Sequence, residues 1–300
     1  MLIGGAFLGL SGCLSVPAPV PVPPVPAVVP APPTTKSAAA SAYYAQVQQV
    51  LLKEGMLRTD GGEDSPVSAD TLTENFMRIA LYNEFTRGKT GIVRNETETP
   101  LTRWRVPVRV SVRFGATVPP DKQATDRARI ASYLNRLSQL TGHPIGIDEG
   151  DPNFWVYVVS EDEREALEPT LRDLNLDIRS DVIETITQMP QTTYCNVFGL
   201  SGSDTHAYKY AVAVIRAENP DLLRLSCFHE EIAQAMGLPN DSPRARPSIF
   251  NDDEEFAFLT DQDEMLLRIL YSPELRPGMT AAEARPIVYS LARRMTGGDS

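Results

Sequence analysis

The stretch Trp104-Arg-Val-Pro-Val-Arg-Val-Ser-Val-Arg-Phe114 decides the fold class, because a helical pattern on either side of it gives way there to a period of two. Every second residue from 104 to 114 is apolar, and Arg105, Arg109 and Arg113 occupy positions between them. This alternation predicts a β-strand with one buried face. We interpret the arginine row as the solvated face of that strand rather than as a binding stripe.

Helices and short strands alternate on both sides of this stretch. Apolar spacing predicts helices over 38–57, 69–86, 122–141, Asp162–Leu174 and 220–237, and strands over 144–147, 154–159, 194–200 and 208–216. Residues 178–188 give no clear signal. Capping patterns at Thr260 with Asp263 and at Thr280 with Glu283 predict two closing helices. The fold class is therefore α+β, a mixed sheet preceded by N-terminal helices and followed by two C-terminal helices.

Composition narrows the class of protein. Of 300 residues, 42% are hydrophobic and 22% charged, which suits one soluble core and neither a disordered chain nor a membrane bundle. The first charged side chain is Lys36, so the formal net charge of −11 belongs to the residues from there onward. An acidic surface repels phosphates, and we expect no nucleic-acid partner.

The N-terminus has the pattern of an export signal. Residues 2–12 form an uncharged apolar run that is too short to span a bilayer but long enough for a signal core. Leu10-Ser11-Gly12-Cys13 resembles a bacterial lipobox, which implies cleavage before Cys13 and attachment of membrane lipid to its sulfur. The resemblance departs from the usual pattern in having no Lys or Arg before the apolar run. Since Leu14 rather than Asp follows Cys13, the same resemblance implies an outer-membrane lipoprotein facing the periplasm.

A proline-rich spacer follows. Residues 17–33 contain nine prolines in seventeen positions and no charge, a composition that favours polyproline II. At ~3.1 Å per residue this spacer reaches roughly 50 Å. A ligand for a proline-binding module is the alternative. We divide the chain into a signal peptide (1–12), a lipidated cysteine with its tether (13–37), an N-terminal helical segment (38–66) and a main domain (67–300).

The cysteines are consistent with this compartment. If Cys13 carries lipid, Cys195 and Cys227 remain as a pair. The periplasm is oxidising, so we predict a disulfide between them.

One predicted helix carries most of the candidate chemistry, the segment Cys227-Phe-His-Glu-Glu-Ile-Ala-Gln-Ala-Met-Gly-Leu-Pro-Asn-Asp241. At ~100° per residue, its apolar residues form one core stripe. That stripe comprises Leu225, Phe228, Ile232, Ala235 and Met236. Glu230 and Gln234 lie opposite, Cys227 and Glu231 flank them, and His229 falls beside the stripe.

This segment resembles the zinc helix of metzincin peptidases, His-Glu-x-x-His-x-x-Gly-x-x-His. The frame places Glu231 at the position of the general base and Gly237 at the turn. The upstream order of strands and helices is similar to the zincin fold, and Leu259–Tyr271 resembles the closing helix of matrixin-type domains. The resemblance covers about residues 100–272 and implies a zincin-like domain whose sheet carries an active-site-type helix.

The three zinc-binding histidines are replaced. Glu230, Gln234 and Asn240 occupy their positions, and carboxylate and amide oxygens are poor zinc ligands that better suit a hard ion such as calcium. A Met-turn is also absent at Pro247–Phe250. We therefore expect neither zinc nor another cofactor. Asp241 and His229 complete the set of candidate binding residues.

Three functional interpretations remain. The first is a binding module of the envelope that lacks zinc and recognises a cell-wall peptide or a periplasmic protein. The second is a hydrolase in which Glu231 is the general base and Glu230, Gln234 and Asn240 or Asp241 hold an ion or the substrate. In the third interpretation these groups are structural. A thiol mechanism with Cys227 and His229 requires that the disulfide be absent.

The stretch from Phe76 to Met279 also resembles an uncharacterised proteobacterial family of lipoproteins, which implies no activity.

Overall fold

The computed structural model describes Met1 and residues 30–87, 92–201, 205–251 and 253–297. The apolar run 2–12, Cys13 and the spacer up to residue 29 lie outside the described residues, so the signal, the lipid anchor and most of the tether remain predictions. Within the described ranges, every helix is too short or too polar to cross a bilayer.

The helices begin where polar caps or prolines allow. They are α1 (Thr35–Lys53), α2 (Ala69–Ala80), α3 (Pro120–Thr141), α4 (Glu161–Glu165), α5 (Glu168–Asp173), α6 (Ser180–Thr187), α7 (Asp221–Ala235), α8 (Asp261–Leu270) and α9 (Ala281–Met295). The capping patterns predicted at Thr260 and Thr280 open α8 and α9, and both are capping boxes, because each threonine exchanges hydrogen bonds with the acidic residue three positions on. The two predicted C-terminal helices are confirmed.

The strands form a mixed sheet and a separate two-stranded sheet. They are β1 (Tyr82–Arg87), β2 (Ile92–Glu98), β3 (Arg103–Trp104), β4 (Val108–Phe114), β5 (Ile145–Ile147), β6 (Phe154–Val159), β7 (Cys195–Ser201) and β8 (Ala207–Arg216). The large sheet has the order β3-β8-β6-β4-β5 with parallel neighbours, and β7 pairs antiparallel with β8. Strands β1 and β2 pair antiparallel with each other.

The predicted strand over 104–114 is real but divided. Trp104 ends β3, and β4 begins only at Val108. Pro107 lies between them and cannot donate a ladder hydrogen bond, and Val106 is exposed in the connection. Within β4, Val108, Val110 and Val112 are buried as the alternation predicts.

Two helix predictions need correction, and one helix lies where the sequence gives no clear signal. The helix predicted over 69–86 ends at Ala80, and Tyr82–Arg87 is strand β1, whose hydrogen bonds come from β2 instead of its own turn. The helix predicted over Asp162–Leu174 is two short helices, because Pro169 lacks the N–H that a continuous helix would need. The unassigned stretch 178–188 contains α6.

Helices cover both faces of the large sheet. Every residue of β6 is buried, as expected for a central parallel strand. Its Phe154, Val156 and Val158 join the core under α2, α3, α7, α8 and α9. Its Trp155 and Tyr157 point to the opposite face, under α5 and α6. Helix α7 therefore lies on the more heavily covered face.

Candidate functional site

Helix α7 is held at both ends. At its start, the guanidinium of Arg224 donates to the buried carboxylate of Asp126 on α3, at 2.8 Å from Nε to Oδ2. At its end, the Trp104 indole donates to the Ala235 carbonyl at 2.7 Å, and the Tyr271 hydroxyl donates to the Met236 carbonyl at 2.9 Å. These contacts satisfy carbonyls that the last turn of a helix leaves without partners.

The predicted apolar stripe of α7 faces the core. Phe228, Ile232, Ala235 and Met236 are all buried, and Leu225 is partly buried. The burial extends further round the helix than the stripe predicts, since Cys227 and Ala233 are buried as well. Little of α7 is left to face an open groove.

The predicted disulfide is confirmed. Cys195 of β7 and Cys227 of α7 are bonded, with their Cα atoms 5.9 Å apart. The bond ties the helix to the antiparallel edge of the sheet. Because both sulfurs are used, Cys227 is not a thiol nucleophile in this state.

Two carboxylates lie beside this disulfide. One ligand atom each from Cys195, Glu230 and Glu231 lies within 4.8 Å of the other two. Glu231, the candidate general base, is only 4% exposed, whereas Glu230 is half-buried. The structure thus brings the two glutamates together, next to a sulfur that is already bonded.

The other candidate binding residues are hydrogen-bonded within the fold. The Gln234 amide donates to the Asp241 carboxylate at 2.9 Å. The Asn240 side chain is 1% exposed and donates its amide to the Arg78 carbonyl at 2.9 Å and to Glu96 at 3.2 Å. Asn240 therefore fastens the segment after α7 to α2 and β2.

His229 is a core residue. Its ring is stacked between those of Tyr133 and Phe258, with centroids 4.1 Å and 4.7 Å away. Its Nδ1 accepts a hydrogen bond from the Leu259 N–H at 3.4 Å. Burial, and secondarily the charge of Arg136, lower the pKa of His229 to about 3. The imidazole is therefore neutral at pH 7.

The side chains at these positions are not suitable ligands for the zinc that the metzincin resemblance implies. The amide nitrogens of Gln234 and Asn240 are directed to Asp241, Arg78 and Glu96. The grouping beside β7 offers two carboxylates and a disulfide sulfur, whereas zinc favours imidazole and thiolate. We derive no catalytic step through a metal at this helix.

A separate concavity adjoins the end of α7. It is a cleft of about 610 Å³ between β3, the turn after α3 and the connection from α8 to α9. Its residues, from three distant segments, include Arg103, Arg105, His143, Tyr271 and Arg276. We call it the arginine cleft.

Sequence reasoning missed the arginine cleft for a physical reason. The alternation predicts one solvated face for the arginine row, but its members have different surroundings. Arg109 and Arg113 pair with Asp151 and Glu149 at 3.2 and 3.8 Å, and Arg105 lines the cleft. The signal available was Pro107, which separates Arg105 from the strand that carries the other two.

The fold and the site define an α/β protein with a mostly parallel sheet and a buried, disulfide-linked helix. A family model described as "Protein of unknown function (DUF2927)" matches residues 69–290, and the chain belongs to this family. The match begins with α2 and ends within α9. Neither the curated proteins nor the solved structures gave a match.

Proposed function

We propose that this chain is an outer-membrane lipoprotein of the periplasm whose zincin-like domain lacks zinc and serves as a binding module. The element order β4, α3, β5, β6, β7, β8, α7, with α4, α5 and α6 between β6 and β7, supports the zincin likeness, since it is similar to that fold. Gly237 supports it too, because its φ of +124° and the Thr102 carbonyl, 2.3 Å from where a Cβ would lie, demand glycine at the turn.

The burial of the residues at the metzincin motif positions favours a binding function over hydrolysis. A general base must reach a water or a substrate proton, and Glu231 is 4% exposed. Asn240, at a position of a histidine ligand, is 1% exposed and bonded to α2 and β2. Groups held in this way stabilise the fold and leave recognition to other surfaces.

The disulfide supports the compartment. Cysteine pairs persist in the oxidising envelope and are rare in the cytosol, and Cys195 and Cys227 are bonded here. Together with the lipobox-like Leu10–Cys13, this favours a periplasmic domain on a lipid anchor. The partners we propose are a cell-wall peptide or a periplasmic protein.

The hydrolase alternative rests on the approach of the Glu230 and Glu231 carboxylates within 4.8 Å. The test is metal analysis of the full chain purified from the envelope, with peptidase assays on wild type and Glu231→Gln. We expect no stoichiometric metal and the same background cleavage in both proteins. Stoichiometric metal together with cleavage that Glu231→Gln abolishes would replace binding with hydrolysis.

The anchor has its own test. Cells that express wild type or Cys13→Ser are labelled with palmitate and fractionated. We expect the wild type to carry label in the outer membrane and Cys13→Ser to lose both the label and the membrane association. Label that persists in Cys13→Ser would rule out this anchor.

A further inference from the structure

We propose that the arginine cleft binds the oxyanionic group, a carboxylate or a phosphate monoester, of a small ligand between Arg105 and Arg276. The inference deepens the proposed binding function by giving it a site and a ligand class. It rests on the shape of the cleft, on the partners of its three arginines, and on the contrast with the charge of the whole chain.

Arg103 forms the fixed wall of the cleft. Its guanidinium donates to the carbonyls of Leu270, Ser272 and Leu275, at 3.2 Å for Ser272 and 2.8 Å for Leu275. These carbonyls follow the end of α8, where a cation is favourable. The contacts hold Arg103 in place through carbonyls and bring no carboxylate, so the wall keeps a positive charge that the carbonyl dipoles offset only in part.

Arg105 and Arg276 are the exposed cations of the cleft. Both are exposed, and across the described residues neither guanidinium is hydrogen-bonded to or paired with a carboxylate. Arg105 lies close enough to Arg103 that its charge lowers the pKa of that guanidinium, after the larger effect of burial. Arg105 thus lies near Arg103, and Arg276 lines the same cleft near Glu283. Exposed guanidinium groups that are not hydrogen-bonded to a carboxylate favour the binding of an anion.

The acidic residue that lines the cleft, Glu283, already accepts hydrogen bonds within the fold. Glu283 accepts from the N–H and the hydroxyl of Thr280 as the N-terminal cap of α9, at 2.8 and 2.9 Å. Those hydrogen bonds, and more weakly Arg276, hold the pKa of Glu283 below its usual range. With one carboxylate against three guanidinium groups, the cleft is positive in a chain of net charge −11.

Size and charge together indicate a small ligand. A volume of about 610 Å³ matches sites for small molecules and short peptide ends. A polyanion or an anionic bilayer would extend over the rest of the acidic surface and be repelled by it. A small ligand with one oxyanion contacts only the positively charged cleft. His143 and Tyr271 line the same cleft with their ring centroids 5.0 Å apart, and the Arg103 guanidinium lies over the Tyr271 ring at 5.3 Å.

The experiment is calorimetric titration of the full chain in detergent with three probes. They are N-acetyl-alanyl-alanine, its C-terminal amide, and glycerol phosphate. We expect the peptide with a free carboxylate to bind about tenfold or more tightly than its amide, since a charged hydrogen-bond pair is lost. Binding of the peptide acid assigns a carboxylate source, and binding of glycerol phosphate alone assigns a phosphate source. Either result supports the proposal.

Matched arginine variants locate the binding. Arg105→Gln and Arg276→Gln should each weaken the bound probe by about tenfold or more. Arg244→Ala, which removes an exposed arginine outside the cleft, should leave binding unchanged. The proposal is overturned if no probe binds at millimolar concentration, if the amide binds as well as the acid, or if Arg105→Gln and Arg276→Gln bind like wild type. Because none of these variants touches Glu231, failure here is distinct from the metal and cleavage result.

Discussion

Helix α7 and the arginine cleft are neighbours that use polar residues in opposite ways. They share two side chains, because Trp104 and Tyr271 line the cleft and also donate to the last carbonyls of α7. Of the candidate groups on and after α7, His229, Glu231 and Asn240 are buried and Gln234 is hydrogen-bonded to Asp241, whereas Arg105 and Arg276 of the cleft face solvent.

The difference separates stability from recognition. A buried polar group must be paired, and removing its partner costs the desolvation of what remains. An exposed arginine costs the fold little and keeps its charge for a ligand. Substitutions around α7 should therefore alter unfolding, and substitutions of the exposed cleft arginines, Arg105 and Arg276, should alter binding only.

The largest effect is expected at the buried ion pair that fixes the start of α7. Arg224 and Asp126 have side chains 1% and 0% exposed. Arg224→Met would leave the buried Asp126 carboxylate with only the partly exposed Arg129 guanidinium, 3.6 Å away, and should lower the free energy of unfolding by about 3–5 kcal/mol. Urea titration followed by circular dichroism measures this loss.

An exposed ion pair supplies the matched control. Arg285 pairs with Glu74, and both side chains are about half exposed. Arg285→Met should cost less than ~1 kcal/mol. Equal losses in the two variants would contradict the distinction between an enclosed α7 and a solvated surface.

The disulfide should contribute nearly as much. Cys195 and Cys227 are 32 residues apart, and a loop of that length stabilises by about 3–4 kcal/mol in the chain-entropy model. We expect the paired change of Cys195→Ala and Cys227→Ala to lower the unfolding free energy by that amount. Dithiothreitol should destabilise wild type and leave the variant unaffected. A variant as stable as wild type would show that β7 holds α7 without the bond.

The core and the disulfide follow from sequence because they depend on local patterns. The stripe through Phe228 and Ile232 obeys the helical period, and Val108 to Val112 obey the period of a strand. The pairing of Cys195 with Cys227 needed only a count of cysteines and a compartment. Each of these inferences uses information within one element or a short list of residues.

The burial of the residues at the metzincin motif positions and the existence of the cleft both depend on contacts between distant segments. Asn240 is enclosed because α2 and β2, more than 140 residues earlier, supply its partners. The cleft needs β3, the turn at His143 and the segment around Arg276 to converge. The periodicity of a single segment does not predict such contacts between distant segments. The same limit explains why the sequence predicts a helix where strand β1 lies, since β1 is held by its pairing with β2.

A pH test probes the enclosure of His229. Its pKa of about 3 in the fold lies below its unfolded value of ~6.5, so the stability it contributes is complete at neutral pH and is lost as the pH falls. Between pH 7 and pH 5 this loss should be about 2 kcal/mol. We expect His229→Gln to show a pH dependence smaller by that amount in urea titrations.

Asp263 acts in the opposite direction over part of this range. Burial raises its pKa to about 6, so the stability it contributes is lost as the pH rises toward that value. Subtracting the curve of His229→Gln from that of wild type removes the contribution of Asp263 from both. Identical curves for the two proteins would mean that water reaches the imidazole and that α7 is more open than its contacts indicate.

The smallest effect on stability is expected in the arginine cleft, and it sharpens the comparison most. Because Arg105 and Arg276 are exposed and neither is hydrogen-bonded to or ion-paired with a carboxylate among the described residues, Arg105→Gln and Arg276→Gln should change the unfolding free energy by no more than ~0.5 kcal/mol. Arg103→Gln is the internal contrast, since it removes three hydrogen bonds to the carbonyls after α8 and should be clearly destabilising. If all three variants lower the free energy of unfolding by the same amount, Arg105 and Arg276 stabilise the fold as Arg103 does. Their charges would then have a structural role instead of a role in binding a ligand.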